Sequence, residues 1–161
     1  EKLMDTQRIL EQLKKLMQLD VDAVNAYQQA LKKMETHPTI HHRINSFCKD
    51  HEKHISDLST EITNLGATPP ETTADFKGLL IEGFTALRSL TGIEGALKAM
   101  RGNEKLTNTT YAEALEELTQ AQASSVVLEL VQKNYEDEKR HLNYIEQVLK
   151  DEAWKNTAVS A

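Results

Sequence analysis

The sequence predicts an all-α fold of four long helices arranged as two antiparallel hairpins, and three observations carry that prediction. Ala, Leu, Glu, Lys and Gln dominate the 161 residues, against six Gly and three Pro, a composition that favours helix nearly everywhere. Four long stretches carry apolar residues at alternating steps of three and four, the signature of one buried helical face. Of the three connections between them, two are short and one is long, which pairs the helices as hairpins.

Taken in order, helix A is expected from Leu3 to Glu35 and stops near Pro38, which ends it or opens the next helix. Helix B follows from Thr39 to Leu65, closed by Gly66 with Pro69 and Pro70 just beyond. A shorter apolar segment, Thr73 to Leu90, comes next as a short extra helix. Thr91-Gly-Ile-Glu94 then reads as a capping box opening helix C, which continues to Leu118. Helix D is expected from Gln122 to Asp151. This makes one domain over 1–151, with 152–161 as a loose tail. The B–C connection is long enough to cross the whole bundle, at about 1.5 Å per helical and 3.3 Å per extended residue. Its length favours a crossover above an up-down bundle with a fifth short helix.

Bulk properties exclude several function classes. Nineteen Lys and Arg against 25 Asp and Glu leave a net charge of −6, without a basic cluster. That argues against nucleic acid or an anionic membrane as partner. No apolar run approaches the roughly 20 residues of a membrane span. Cys48 is the single cysteine, so no internal disulfide forms and nothing points to an oxidising compartment. Cytoplasm is the default expectation, and a removed leader stays open because the sequence starts at Glu1.

The two hairpins resemble each other. "DVDAVNAYQQAL" (20–31) aligns with "EKLTNTTYAEAL" (104–115), sharing an acid, a Tyr seven residues later, and Ala-Leu. "DHEKHI" (50–55) aligns with "DEKRHL" (137–142). A duplicated helical hairpin is the economical explanation.

Each apolar seam is interrupted near its middle by polar residues. Helix A runs Leu3, Leu10, Leu13, Met17, then Asp20, then Val24, Tyr27, Leu31 and Met34, with Asp22 off the seam. Helix B runs Ile40, Ile44, Phe47, then His51 and His54, then Leu58, with Asp50 and Glu52 pointing away. Helix C runs Ile93, Leu97, Met100, then Glu104 and Thr107, then Tyr111, Ala114 and Leu118. Helix D runs Val127, Val131, then Asn134, Glu138 and His141, then Ile145 and Val148.

Counting from the two turns puts Asp20, His51, His54, Glu104, Glu138 and His141 at one height. Burying three carboxylates and three imidazoles without compensation would cost many kcal/mol. One or more bound cations is the simplest compensation, and a dry polar network is the alternative. Asp22, Asp50 and Glu52 are expected in solvent, and His37, His41 and His42 on the surface near the A–B turn. Glu94 is explained by its capping box.

On these residues the chain resembles the ferritin-like carboxylate-bridged di-metal proteins, closest to the rubrerythrin-type branch and small bacterial ferritin-like proteins of unassigned role. That family carries an acid on helices A and C and Glu-x-x-His on helices B and D. The resemblance covers residues 1 to 151. It implies Asp20, His54, Glu104, Glu138 and His141 as metal ligands, with Tyr27, Tyr111 and Asn134 hydrogen-bonding around them. Asp20 replaces the usual Glu, and His51 stands where the helix B glutamate would bridge two metals. An imidazole does not bridge as a carboxylate does, so Glu138 is left as the protein's bridge. Two divalent ions against three carboxylates would leave a charge of about +1, which opens single-metal or unequal two-metal sites. Imidazole-rich ligation suits Fe, the first choice, and also Mn or Zn. The resemblance implies reaction with dioxygen or peroxide, an external electron donor, and a homodimer. Holding a metal without turnover, and a metal-free interaction module, are the other readings.

Overall fold

The computed structural model describes residues 2–71 and 92–159. Among these, four long helices, α1 (Lys2–Leu31), α2 (Pro38–Asn64), α3 (Gly92–Gln120) and α4 (Ser125–Asp151), are followed by a 3-10 helix, Ala153–Val159. They form the expected ferritin-like four-helix bundle. α1 and α2 make one hairpin, α3 and α4 the other, and the hairpins meet through α1 against α3 and α2 against α4.

Two cross-hairpin contacts fix the directions. Arg8, early in α1, reaches Glu117, late in α3, at 3.3 Å, so those helices are antiparallel. His37, just before α2, hydrogen-bonds to the Trp154 carbonyl beyond α4 at 2.6 Å, so α2 and α4 are antiparallel too. It follows that α2 ends and α3 begins at opposite ends of the bundle, the crossover connectivity. The segment 73–90, expected as a short extra helix, and Thr91 of the expected capping box lie outside the described residues. No described helix is long and apolar enough to cross a membrane.

Local chemistry sets the helix ends, with small departures from expectation. α1 ends at Leu31 instead of Glu35, because Lys33 and Met34 bond back three residues, to Ala30 and Leu31, in tight turns. Pro38 then holds His37 out of the helical region at φ −127°, ψ 79° and becomes the first residue of α2. Gly66 adopts φ +85° with Ala67 N–H bonded to Ile62 O and Gly66 N–H to Thr63 O, the paired bonds of a glycine helix stop. The C–D turn uses the same bonds with Gln122 at φ 57°. Gln122 therefore terminates α3 and does not begin helix D. Ser124 caps α4, its Oγ accepting from Val127 N–H at 3.3 Å.

The core lines all four seams, from Leu13, Leu16 and Leu19 to Phe47, Leu97, Val131 and Ile145. Leu3 departs from its expected place and is exposed. The Arg8–Glu117 register puts it level with the turn after α3, where that helix has already ended. Leu10, Val24 and Leu31 are half-buried. Within the stretch expected as a tail, Trp154 packs against the core.

Candidate metal centre

One turn in the middle of each helix delivers the polar layer. Asp20, His51, His54, Glu104, Glu138 and His141 are all buried, none more than 1% exposed. The helical step of three sets His51 over His54 and Glu138 over His141 on single faces. Asp20 and Glu104 arrive from the antiparallel helices α1 and α3 at the same height. The structure thus brings together all six residues singled out in the sequence.

Asp20 Oδ1 accepts from His51 Nδ1 at 2.6 Å and from His54 Nδ1 at 3.1 Å. Glu104 Oε1 accepts from His51 Nε2 at 3.3 Å. Glu138 sits between the halves: Oε1 lies 3.3 Å from both His51 Nδ1 and His54 Nδ1, and Oε2 lies 3.5 Å from His141 Nδ1. Tyr27 and Tyr111 cross the bundle. Tyr27 donates to Glu104 Oε1 at 2.5 Å, and Tyr111 donates to Asp20 Oδ2 at 2.6 Å. Each tyrosine therefore serves the acid of the other hairpin. Asn134 donates to the Tyr111 hydroxyl at 3.4 Å.

Burial and charge oppose one another here, and charge wins. Burial alone would lower the His51 pKa, but the Glu138 charge and the bonds to Asp20 and Glu104 raise it to about 9. His54 is likewise pushed up to about 12, with Asp20 and Asp137 overriding its burial. His141 is well above its ordinary value, burial being outweighed by Asp50, Glu104 and Glu138. Burial would raise Asp20 and Glu104; the neighbouring imidazoles outweigh it and hold both below the usual carboxylate range. Burial, then the adjacent carboxylates, raise both tyrosines, so each remains a protonated donor.

Four residues expected in solvent or on the surface prove buried in whole or in part. Asp50 accepts from His141 Nε2 at 2.8 Å and from Arg140 at 2.8 Å. Asp22 is fully buried, because α1 is covered on every side from Leu19 to Ala23, and Gln18 donates to it at 3.0 Å. His37, against Trp154, and His41 are half-buried, whereas His42 and Glu52 are exposed as expected. Two further residues join the site: Asp137, which the seams did not single out, and Thr107, which was placed on the helix C seam without a role. Asp137 accepts from His54 Nε2 at 2.9 Å and from Arg140 at 3.0 Å. The Thr107 hydroxyl donates to Glu104 Oε2 at 2.8 Å, 3.2 Å from Glu138 Oε2. The aligned "DHEKHI" and "DEKRHL" stretches begin with these two aspartates, the signal that could have found them.

The layer divides into two groups of potential ligands: Asp20, His51, His54 and Glu138, and His51, Glu104, Glu138 and His141. In each group the offered atoms lie within 4.8 Å of one another. Asp137 and Asp50 hold the outer Nε2 of His54 and His141, which leaves Nδ1 of both facing inward, the usual way a protein orients a ligating histidine. Among the described residues, two buried side-chain atoms have no hydrogen-bond partner, Glu138 Oε1 and His141 Nδ1. Each such atom costs about 1–3 kcal/mol, and both are metal-ligating types pointing into the layer. Carboxylate and imidazole donors with two unsatisfied atoms fit a first-row transition metal.

Solved structures similar to this chain share its fold. They include a Dps from Thermosynechococcus elongatus (TM-score 0.75, 16% identity, covering 91% of this chain and 94% of that one). Another is a bacterioferritin from Desulfovibrio desulfuricans, described with its diiron site (0.78, 16%, 93% and 82%). A third is a ferritin-like diiron-carboxylate protein from Bacillus anthracis str. Ames (0.73, 16%, 90% and 97%). No curated protein matches the chain in sequence. Over residues 8–117, more than half its length, the chain matches the family described as "Domain of unknown function (DUF2383)", and it belongs to that family.

Proposed function

We propose that this chain is a ferritin-like metal protein that holds one or two transition-metal ions, iron first among them, and reacts with dioxygen or peroxide. The ligands in this reading are Asp20, His51, His54, Glu104, Glu138 and His141. The observation that carries it is the buried layer itself, with Glu138 Oε1 and His141 Nδ1 left unsatisfied. The diiron descriptions of two proteins with this fold support iron.

Iron held there would supply the electron transfer to dioxygen or peroxide. The chain's own residues do the rest. Glu138 spans both groups, and Tyr27 and Tyr111 hold Glu104 and Asp20 in place. Asp137 and Asp50 fix the rings of His54 and His141. Burial keeps bulk water out of the layer. With Cys48 as their single cysteine, the 161 residues lack the four thiolates of a rubredoxin-like electron-transfer module, so an external donor is part of the proposal.

Anaerobic loading of the metal-free protein with Fe(II), followed by metal analysis and exposure to peroxide or air, tests this. Stoichiometric iron and oxidation faster than Fe(II) in buffer are expected. Binding without faster oxidation would reduce the protein to a metal holder. A metal-free polar layer has one observation in its favour, since three protonated imidazoles offset three carboxylates in charge. On that reading neither added metal nor chelator would move the melting temperature. Metal at about 100 times its Kd should instead add about 2.7 kcal/mol.

A further inference from the structure

His51 differs from the other two histidines of the layer. His54 and His141 each commit Nε2 to an aspartate at the rim, at 2.9 and 2.8 Å, and turn only Nδ1 inward. His51 has both ring nitrogens inside the layer. Its Nδ1 faces Asp20 at 2.6 Å and Glu138 at 3.3 Å, and its Nε2 faces Glu104 at 3.3 Å. Asp20 and Glu104 belong to different ligand groups, while His51 and Glu138 are common to both.

We propose that His51 bridges two divalent metal ions, giving Nδ1 to the ion held with Asp20 and His54 and Nε2 to the ion held with Glu104 and His141. The inference rests on the metal-binding reading above and specifies how that site is built. Coordination through both nitrogens sends both ring protons to solvent and leaves the ring with a charge of −1. Added to Asp20, Glu104 and Glu138, this makes four negative charges against two divalent ions. The residual +1 that three carboxylates alone would leave disappears. Glu138 then provides the second bridge, Oε1 on the His54 side and Oε2 on the His141 side. His54 and His141 cannot take the role, because their outer nitrogens already donate to Asp137 and Asp50.

The bridge sets a distance. With metal–nitrogen bonds of about 2.0 Å on either side of the ring, the ions sit about 6 Å apart. Two-metal sites with closer bridging hold them at about 3.5–4 Å.

The test is titration of the full-length, metal-free chain with Cu(II), followed by electron paramagnetic resonance and X-ray absorption. Two ions per chain, loss of most of the paramagnetic signal through coupling, and a copper–copper distance near 6 Å are expected. His51→Gln, checked for helix content by circular dichroism, should lose the coupling and show one ion or two independent ones. One ion per chain in the wild type, a pair at the short distance, or a coupled pair surviving in His51→Gln would each overturn the bridge while leaving metal binding intact. Failure of the wild type to bind copper at all would overturn the metal-binding reading, and the bridge with it.

Discussion

The two hairpins present nearly the same outer frame around unlike centres. Tyr27 from α1 holds Glu104 and Tyr111 from α3 holds Asp20. His54 from α2 leans on Asp137, and His141 from α4 leans on Asp50. Arg140 joins the two aspartates through one nitrogen, at 2.8 and 3.0 Å. Inside that frame the repeat fails at one position, where α2 brings His51 and α4 brings Glu138. The frame orients ligands whichever group stands at the centre, whereas the centre sets charge and bridging, so the halves can diverge there without loss of the fold.

Glu138→Ala should break the comparison most severely, because this carboxylate faces the histidines of both halves. Removing one partner from a buried charged cluster costs about 3–5 kcal/mol. Urea unfolding in the presence of chelator should show that loss, and a cost below about 1 kcal/mol, typical of an exposed pair, would mean that Glu138 is not integral to the layer.

A second effect separates the metal-free from the loaded protein. His51 is raised from 6.5 to about 9, so the folded state holds a proton that the unfolded chain releases between those values. Its stabilisation is complete below pH 6.5 and is lost as pH rises through about 9, at about 1.4 kcal/mol per pH unit and about 3 kcal/mol in all. Asp20 and Glu104 act in the opposite sense: their lowered values add stability that falls away on acidification below the carboxylate range. Melting curves of chelated protein should therefore decline from pH 6.5 to 9. Metal affinity should climb over the same range, because metal replaces those protons. His54 and His141, also raised, add to the same decline, so a flat metal-free profile would show that the histidines are not protonated in the folded layer.

The smallest expected effects test the symmetry of the frame. Asp137→Asn and Asp50→Asn should each weaken metal binding by about 10- to 100-fold, the usual cost of losing an orienting partner. Asp137→Asn acts on the His54 group and Asp50→Asn on the His141 group. Calorimetric titration of both variants should give similar losses. A large inequality would show that one ion is held much more firmly by the rest of its group.

Much of this was legible in the residues. The seam interruptions at Asp20, His51, His54, Glu104, Glu138 and His141 follow from helical period, and their common height follows from counting out of two short turns. Tyr27 and Tyr111 stand two turns from their acids, and helical side chains lean back towards the N-terminus. Asp50 and Asp137 were harder to place. Period sorts residues into one buried stripe and an outer face, while these two sit at the stripe's edge, where α2 and α4 meet closely enough for an edge carboxylate to reach across. Asp22 escaped for a related reason: a period of three and four assumes one covered face, and α1 is covered all round over that turn.

Amphipathic period, turn residues and the repeated hairpin were enough to specify the bundle, its crossover and the polar layer, since all of these depend on spacing along the chain. Which nitrogen of each histidine turns inward depends instead on the neighbouring helix and the partner it offers. His54 and His141 find an aspartate across the α2–α4 seam and so spend one nitrogen there. His51 finds none and turns both nitrogens to the layer, a distinction that spacing does not encode.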